Sequence, residues 1–263
     1  MQGKIALVTG ASRGIGQAIG LAFAKEGADV VVNATSLANL EGTVRQIEAL
    51  GRRTIAIAAD VANERQVKEM VDKVIREWGG IDILVSNVGI GFPTRIEDME
   101  TEEWDQVIAV NLRSLFNCSK AVIETMKRRG GGKIIAIGSI SGKRMSASLG
   151  VHYTTSKAAI LGFVRHLAYE LGPYGINVNC VNPGVVLTSH TEKGAPASFW
   201  EEKKVTFPLR ELVQPEDIAN ATVFLASDKA KMITGTSIDI DAGMSLGWGL
   251  VSAEIYAEQK KSA

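Results

Sequence analysis

The sequence predicts an α/β protein with a doubly wound parallel sheet of about seven strands and helices on both faces. Three observations lead to this prediction: short Val- and Ile-rich runs recur along the chain, amphipathic patterns separate them, and glycines close most of those patterns. Runs that are apolar on both faces are typical of parallel strands covered by helices. Their regular alternation with helices predicts right-handed crossovers within one sheet.

The elements follow one another with little interruption. Asn63 is a suitable N-cap, and Gly27, Gly51 and Gly79 stand where helix C-termini favour a left-handed residue. We find no linker or change of composition, so residues 1–263 are predicted to form a single domain. The predicted strands are 4–10, 29–34, 54–60, 81–87, 133–139, 176–184 and 236–243, and the predicted helices are 14–27, 37–51, 63–79, 101–130 and 153–173.

One segment breaks this alternation. Residues 188–208 contain Gly, two Pro and three aromatic residues and have only a weak helical period. Long irregular connections in compact domains are often functional, and ligands of such sheets bind at the carboxyl edge of the strands. We therefore expect this segment, which follows a strand, to be a substrate lid; the alternative is a surface excursion.

Composition excludes several classes of partner. The 29 basic and 29 acidic residues cancel, which argues against nucleic acid or an anionic membrane as a partner. A strand pattern begins near the first residue, without a signal peptide, and no apolar run is long enough to cross a bilayer. We expect a cytoplasmic protein. Cys118 and Cys180 lie in apolar segments without metal-ligand spacing, so no metal is expected.

A glycine-rich turn follows the first strand and opens the first helix. Gly10, Gly14 and Gly16 allow a tight turn and a close approach of the backbone to a pyrophosphate, which the helix N-terminus also attracts. NAD sites commonly have an acid at the end of the second strand, but residues 33–36 read Asn-Ala-Thr-Ser. Together with Arg13, this favours NADP(H) over NAD(H); the alternative is that these are ordinary loop residues.

A tyrosine and a lysine, Tyr153 and Lys157, stand four positions apart at the start of an apolar helix. Residues at this spacing are neighbours on one helical face. An ammonium group beside a phenol favours the phenolate and so prepares the hydroxyl for proton transfer. By themselves the two residues are equally compatible with a solvated surface pair.

The glycine turn and this pair together resemble the short-chain dehydrogenase/reductase family, in its compact single-domain branch. The resemblance runs from "TGASRGIG" through "YTTSK" to "ITGTSIDIDAGM" and covers nearly the whole chain. It implies a Rossmann-type fold and four catalytic residues. These are Tyr153 as proton donor, Lys157 beside it, Ser139 as hydrogen-bond donor to the substrate oxygen, and Asn111 as holder of a relay water.

The same resemblance implies a set of cofactor-binding residues along the carboxyl ends of the strands. Tyr153 and Lys157 belong to this set as well as to the catalytic group. The other members are Gly10, Ser12, Arg13, Gly14, Ile15, Gly16, Asn33, Ala34, Thr35, Ser36, Asp60, Val61, Asn87, Val88, Gly89, Val110, Pro183, Gly184, Val185, Val186 and Thr188.

Three departures from the family pattern stand out. The strand-4 motif reads "SNVG" at 86–89 in place of Asn-Asn-Ala-Gly. Ser139 lies 14 residues before Tyr153, one more than expected, which leaves Ser141 as a lesser candidate. Ala242 stands where glycine is more frequent. None of these changes removes a reacting group.

The resemblance implies an NADPH-dependent reductase of ketones or aldehydes, reversible as an alcohol dehydrogenase and acting on a small molecule. One alternative is a 3-oxoacyl-carrier-protein reductase: Arg129 occupies one carrier-binding position, but Tyr174 replaces the second arginine. Another is a non-catalytic NADP-binding sensor or scaffold, which would have no need of the four catalytic residues. The long helices at 101–129 and 153–171 also predict a homotetramer.

Overall fold

Seven parallel strands form one sheet in a computed structural model, which describes residues 1–188, 191 and 195–246. The strand order is β3-β2-β1-β4-β5-β6-β7, so the predicted fold class is confirmed. The one-domain organisation stays a prediction. The strands are β1 (Ile5–Val8), β2 (Asp29–Ala34), β3 (Thr54–Ala58), β4 (Ile83–Ser86), β5 (Gly132–Ile137), β6 (Ile176–Pro183) and β7 (Ser237–Ile240).

Helices cover the two faces of this sheet. On one face lie α3, α5 and α6, and on the other lie α1, α2 and α8. The bounds in the described ranges are α1 (Gly14–Lys25), α2 (Glu41–Ala49), α3 (Glu64–Trp78), α4 (Thr101–Ile108), α5 (Ser114–Arg128), α6 (Val151–Leu171), α7 (Ala197–Lys204) and α8 (Pro215–Ala226).

Alternation along the central strands builds the two apolar cores. In β1, Leu7 packs with the α3, α5 and α6 side, whereas Ala6 and Val8 pack with the α1, α2 and α8 side. In β4, Leu84 and Val85 divide in the same way. This is the expected consequence of a two-residue side-chain period in strands that are buried on both faces.

Two helices differ from the prediction, and the lid stays a prediction. The helix predicted at 101–130 is interrupted by a π-helical turn at Ala109–Arg113, which a side-chain period does not reveal. The predicted lid contains α7, and its residues 189, 190 and 192–194 lie outside the described residues, as do 247–263. Helix α8 was missed, although Pro215 at its first position and Asp217 in a capping box are helix-start signals.

The strand order reverses direction between β1 and β4. In doubly wound sheets the loops that leave such a pair of strands diverge and open a crevice at the carboxyl edge, where ligands bind. Within the described ranges no helix is both long and apolar enough to cross a membrane. The same ranges contain no group of three or more His, Cys, Asp or Glu side chains placed to hold a metal ion.

Candidate active site

The glycine turn forms the floor of the crevice. Gly10 and Gly14 have φ angles of +65° and +55°, a left-handed conformation that glycine adopts without strain. A Cβ atom on Gly16 would lie 2.1 Å from the carbonyl oxygen of Gly10, so no other residue fits there. The Asn87 amide donates to the carbonyl oxygens of Thr9 (3.0 Å) and Gly10 (3.2 Å) and joins the turn to β4.

A cavity of about 690 Å³ opens above this turn. Of the predicted cofactor residues, Ser36, Pro183, Gly184, Val185 and Val186 are not part of its lining, and neither are Tyr153 and Lys157. Asn39, Ala59, Ile90 and Gln106 also line it and were missed. The predicted residues that line it are Gly10, Ser12, Arg13, Gly14, Ile15, Gly16, Asn33, Ala34, Thr35, Asp60, Val61, Asn87, Val88, Gly89, Val110 and Thr188.

Exposed polar side chains lie at the end of β2, on one side of the cavity. Arg13, Thr35 and Asn39 are all exposed, and the Arg13 guanidinium has no hydrogen-bond or ion-pair partner among the described residues. Asn33 differs from its predicted role, because its buried amide donates to the carbonyl oxygens of Ala34, Ile57 and Ala59. The amide nitrogen of Asn33 is therefore already occupied by the protein's own backbone.

Lys157 is buried on α6, one turn after Tyr153. Its ammonium nitrogen donates to the carbonyl oxygen of Ile137 at 3.1 Å and lies 5.7 Å from the centre of the Tyr153 ring. A Cβ atom on Gly89, in the cavity lining, would lie 3.1 Å from the Lys157 nitrogen. Lys157 is thus buried behind the cavity wall beside a half-buried Tyr153, which excludes the surface alternative for Lys157.

The π-helical turn brings Asn111 close to Lys157 and to the first turns of α6. Its side-chain oxygen accepts from the Ile90 N–H at 2.7 Å, and its amide nitrogen donates to the Ile90 carbonyl oxygen and the Ser156 hydroxyl, each at 2.9 Å. Ser156 in turn donates to the carbonyl oxygen of Tyr153 at 2.7 Å. Asn111 therefore connects the loop after β4 with the first turns of α6.

Ser139 follows β5 and is 7% exposed. Its hydroxyl oxygen accepts from the Ser141 N–H at 3.1 Å and caps a short 3₁₀ turn. Beyond the turn, Lys143 forms an ion pair with Asp239 at 2.8 Å, and Asp239 also accepts from the buried Asn182 amide. The serine loop is thus connected to β6 and β7 by these contacts.

Gly91 packs directly against the tyrosine ring, a contact that the sequence did not reveal. A Cβ atom at this position would lie 2.7 Å from Cδ2 of Tyr153 and 2.9 Å from Cδ1 of Leu149. Because the two residues are 62 positions apart in the chain, no local pattern predicts the contact. Gly91 sets the space available to one side of the ring.

The segment after β6 closes the crevice from above. Gly184 donates its N–H to the Ile240 carbonyl oxygen at 2.9 Å, and Val186 forms a parallel bridge with Val213. A Cβ atom on Gly14 would lie 3.4 Å from the methyl group of Thr188. Thr188 therefore lies opposite the glycine turn, whereas Gly184 and Val186 hold the segment in place.

Neither cysteine is available as a nucleophile. Burial raises the pKa of the Cys118 thiol and of the Cys180 thiol to about 12. Both thiols therefore stay protonated at neutral pH and pack as small apolar groups.

Comparison with known proteins agrees with this geometry. A family model described as enoyl-(acyl carrier protein) reductase matches residues 10–245. The 3-oxoacyl-(acyl-carrier-protein) reductase FabG of Staphylococcus epidermidis is 41% identical over 92% of this chain and 98% of its own length. The chain belongs to the short-chain dehydrogenase/reductase family. The resemblance found in the sequence and the assignment as an oxidoreductase are thereby confirmed.

Solved structures of short-chain dehydrogenases/reductases superpose closely on this chain. One from Mycobacterium marinum has a TM-score of 0.88 at 36% identity and covers 94% of this chain and 97% of its own. The L-sorbose reductase of Gluconobacter frateurii, solved with NADPH and L-sorbose, has a TM-score of 0.89 at 33% identity. It covers 92% of this chain and 97% of its own.

Proposed function

We propose that this protein is an NADPH-dependent reductase of 3-oxoacyl thioesters presented on a carrier. The observation that carries the reductase assignment is the buried Lys157 ammonium 5.7 Å from the Tyr153 ring, with Asn111 one hydrogen-bonded step away through Ser156. A non-catalytic sensor has no use for a buried ammonium group beside a phenol. Its burial is costly unless the charge has a function.

The chain's own residues suit the chemistry of carbonyl reduction. NADPH, when bound, supplies the hydride. Tyr153 gives its hydroxyl proton to the substrate oxygen, and the Lys157 ammonium stabilises the phenolate that remains. Ser139 donates a hydrogen bond to the same oxygen as negative charge develops on it. Asn111 connects the loop after β4 to α6 by hydrogen bonds. Tyr153 and Lys157, both on α6, thereby keep their positions relative to that loop.

The glycine cradle and the exposed polar cluster fit NADP(H). Gly10, Gly14 and Gly16 allow the tight turn whose backbone would approach a pyrophosphate, and a Cβ atom at Gly16 would collide with the Gly10 carbonyl oxygen within that turn. Arg13 and Thr35 offer a cation and a hydroxyl at the end of β2, where no acid is present to repel a 2′-phosphate. The L-sorbose reductase that superposes on this chain was solved with NADPH.

The relatives favour a carrier-linked substrate over the free ketone or aldehyde that the sequence alone favours. Six of the curated relatives at 41% identity are named FabG, a 3-oxoacyl-(acyl-carrier-protein) reductase. Shared identity over the full length supports a shared substrate class more directly than the shared fold does.

A small free ketone is the second candidate, and two basic residues favour it. The Arg129 guanidinium donates to Asp82 through Nε (2.9 Å) and Nη2 (2.8 Å), and Lys127 lies 4.1 Å from the centre of the Tyr174 ring. Both cations therefore already have partners within the chain. An acidic carrier would have to compete with them for this surface.

A substrate panel tests the proposal. We expect NADPH oxidation with acetoacetyl groups on an acyl carrier protein at a kcat/KM well above that for ethyl acetoacetate or L-sorbose. Preference for the free ketones would replace the first candidate by the second. Tyr153→Phe is expected to lower kcat by about 10²–10⁴-fold while NADPH still binds. NADPH binding without turnover of any substrate would favour the sensor.

We also propose that the protein assembles as a homotetramer. Phe116 on α5 and Tyr169 on α6 are large side chains left exposed at 45% and 83%. Such side chains on paired helices are suited to contacts across a two-fold axis. Sedimentation at several concentrations tests this; a single 28.1 kDa species would contradict it. A cytoplasmic location stays a prediction.

A further inference from the structure

A completely buried histidine immediately precedes the tyrosine. His152 is 0% exposed, and its Nδ1 accepts a hydrogen bond from the backbone N–H of Tyr153 at 2.7 Å. Its Nε2 lies 3.0 Å from Oε1 of Glu103. Because Nδ1 accepts, it carries no hydrogen, and the neutral ring therefore donates from Nε2 to the carboxylate.

The imidazole adds a side-chain acceptor to the first turn of α6. The first N–H groups of a helix lack partners within the helix, and a side chain at the N-cap usually accepts from one of them. Here the N-cap is Gly150, and a Cβ atom on it would lie 2.4 Å from the carbonyl oxygen of Thr94. A side-chain cap is therefore excluded at position 150, and His152 supplies the acceptor beside the longer 3.1 Å bond from the Tyr153 N–H to Gly150.

The other end of the histidine is anchored just as firmly. Oε2 of Glu103, on α4, accepts from the Thr94 hydroxyl at 3.0 Å, so both carboxylate oxygens have partners. The Phe92 ring lies 6.2 Å from the His152 ring, and the Phe92 carbonyl oxygen accepts from the Gly150 N–H at 2.8 Å. The imidazole therefore joins α4 to the start of α6, and Thr94 and Phe92 connect the loop after β4 to the same two elements.

We propose that His152 and Glu103 are positioning residues for Tyr153. Glu103 orients the imidazole, and the imidazole fixes the backbone N–H of Tyr153 and with it the direction in which the phenol leaves the helix. Gly91 limits the ring from the loop side, so a small shift of the helix start would displace the hydroxyl. This inference rests on the proposed function, in which Tyr153 transfers the proton.

A purely structural role would have different features. A residue needed only to fill space would be apolar, because burying imidazole is favourable only when its nitrogens are hydrogen-bonded. Here both nitrogens have partners, one of which is the backbone of Tyr153 itself. We therefore expect substitutions to act on the reaction step more than on folding or cofactor binding.

Two substitutions separate the two hydrogen bonds. In His152→Asn the side-chain oxygen takes the place of Nδ1 and can accept from Tyr153, whereas in His152→Gln the side-chain NH₂ takes the place of Nε2 and can reach Glu103. We expect His152→Gln to lower kcat by about 10–100-fold, since a displacement of about 1 Å at a reacting group has an effect of this size. We expect His152→Asn to retain more of the kcat than His152→Gln.

Glu103 provides a second, matched pair of variants. Glu103→Gln still accepts from His152 and can donate to Thr94. Because these retained hydrogen bonds keep the imidazole oriented, we expect kcat within about three-fold of the wild-type value. Glu103→Leu has a similar size without any acceptor, and we expect it to share the loss seen with His152→Gln. The KM for NADPH should change little in all four variants. Thermal unfolding and NADPH binding are measured in parallel.

Four outcomes are decisive. A wild-type kcat in both His152→Gln and Glu103→Leu overturns the inference. So does a loss of kcat that is matched by equal losses of NADPH affinity and thermal stability, because that pattern indicates general damage to the fold. If Tyr153→Phe itself retains full activity, the proposed function fails first; if Tyr153→Phe is inactive and the His152 variants are unaffected, only the positioning role fails.

Discussion

Charged side chains have different partners at the two edges of the sheet. At the amino edge, Asp29 accepts hydrogen bonds from Arg52 and Arg53, and Asp82 accepts from both arms of Arg129 and from the backbone of Ile5. At the carboxyl edge, Lys157 donates only to a carbonyl oxygen, and Arg13 has no carboxylate within the described ranges.

This contrast separates charges that stabilise the fold from charges kept for a ligand. Carboxylates at the amino edge are surrounded by guanidinium groups, so little charge is left to attract anything else. A cation without a carboxylate, next to a nucleotide-sized cavity, retains its attraction for an anionic ligand. The ion pair of Lys143 and Asp239 shows that the carboxyl edge also uses charge to brace a loop, where no ligand is expected.

Mutations at the amino edge should lower the stability of the fold and leave kcat unchanged. Asp29→Ala leaves two arginines without their carboxylate. Breaking a buried pair costs about 3–5 kcal/mol, and because Arg53 is 66% exposed at its side chain, we expect a loss of about 2 kcal/mol in the free energy of unfolding, reduced by solvent screening. Denaturant unfolding measures it. The kcat should be unchanged, and a fall in kcat would contradict the division between the edges.

The same variant tests the pH dependence. Burial raises the pKa of Asp29, but hydrogen bonds from Arg53 and the charges of Arg52 and Arg53 outweigh burial, so the pKa lies below 3.8. The contribution of this depressed group to stability is full above about pH 3.8 and is lost as the pH falls through the folded-state pKa. The difference between wild type and Asp29→Ala should therefore shrink in acid. Glu69→Ala, which removes an exposed ion pair, serves as control.

Mutations at the carboxyl edge should change the affinity for the cofactor. Arg13→Ala removes the cation proposed to contact the 2′-phosphate, and a hydrogen bond to a charged group contributes about 1.5–3 kcal/mol, or roughly 10–150-fold in affinity. We expect weaker NADPH binding at this scale and unchanged NADH binding, measured by titration of cofactor fluorescence. Arg45→Ala, at an exposed arginine paired with Glu41, is the matched control. Equal weakening of both cofactors would remove Arg13 from the phosphate site.

The smallest change in stability is expected at Ala242, a strained backbone position at the carboxyl edge. Ala242 has a φ of +54°, a left-handed conformation at the position where the family more often has glycine. That conformation costs an alanine about 1–2 kcal/mol, and the gain from glycine is offset by about 0.4–1 kcal/mol of unfolded-chain entropy. We expect Ala242→Gly to raise the free energy of unfolding by about 0.5–1 kcal/mol.

An alanine within a helix serves as a control, because replacing it by glycine should change the stability in the opposite direction. Ala221→Gly in α8 should destabilise the protein by about 1 kcal/mol, because glycine is a poor helix former. A destabilising Ala242→Gly, similar in size to Ala221→Gly, would show that the left-handed position carries no strain.

Much of the fold could be read from periodicity, because strands buried on both faces and capped helices leave local signals. Asn63 caps α3 by accepting from the Gln66 N–H, and Gly79 ends the helix with a φ of +84°. Sequence motifs likewise placed Lys157 and Asn111 close to one another. The π-helical turn left no such signal, since it depends on backbone geometry.

Contacts between distant residues were beyond the reach of sequence reasoning. Glu103 and His152 are 49 residues apart, and each alone has the appearance of an ordinary helix residue. Gly91 meets the Tyr153 ring only because the loop after β4 folds over the start of α6. Such pairs follow from the tertiary arrangement, which local propensity does not encode.

The π-helical turn at 109–113 also restricts how this chain can change in length. Each residue of an α-helix advances the side-chain direction by about 100°. The five residues of this π-helical turn cover about the same angle as four residues of an α-helix. Deleting one residue here would therefore allow α4 and α5 to merge while Leu115, Cys118, Val122 and Met126 keep facing the apolar core that they share. The deletion would instead disturb the turn that carries Asn111 and its hydrogen bonds to Ile90 and Ser156, so a shortened chain would lose its chemistry before it lost its interior.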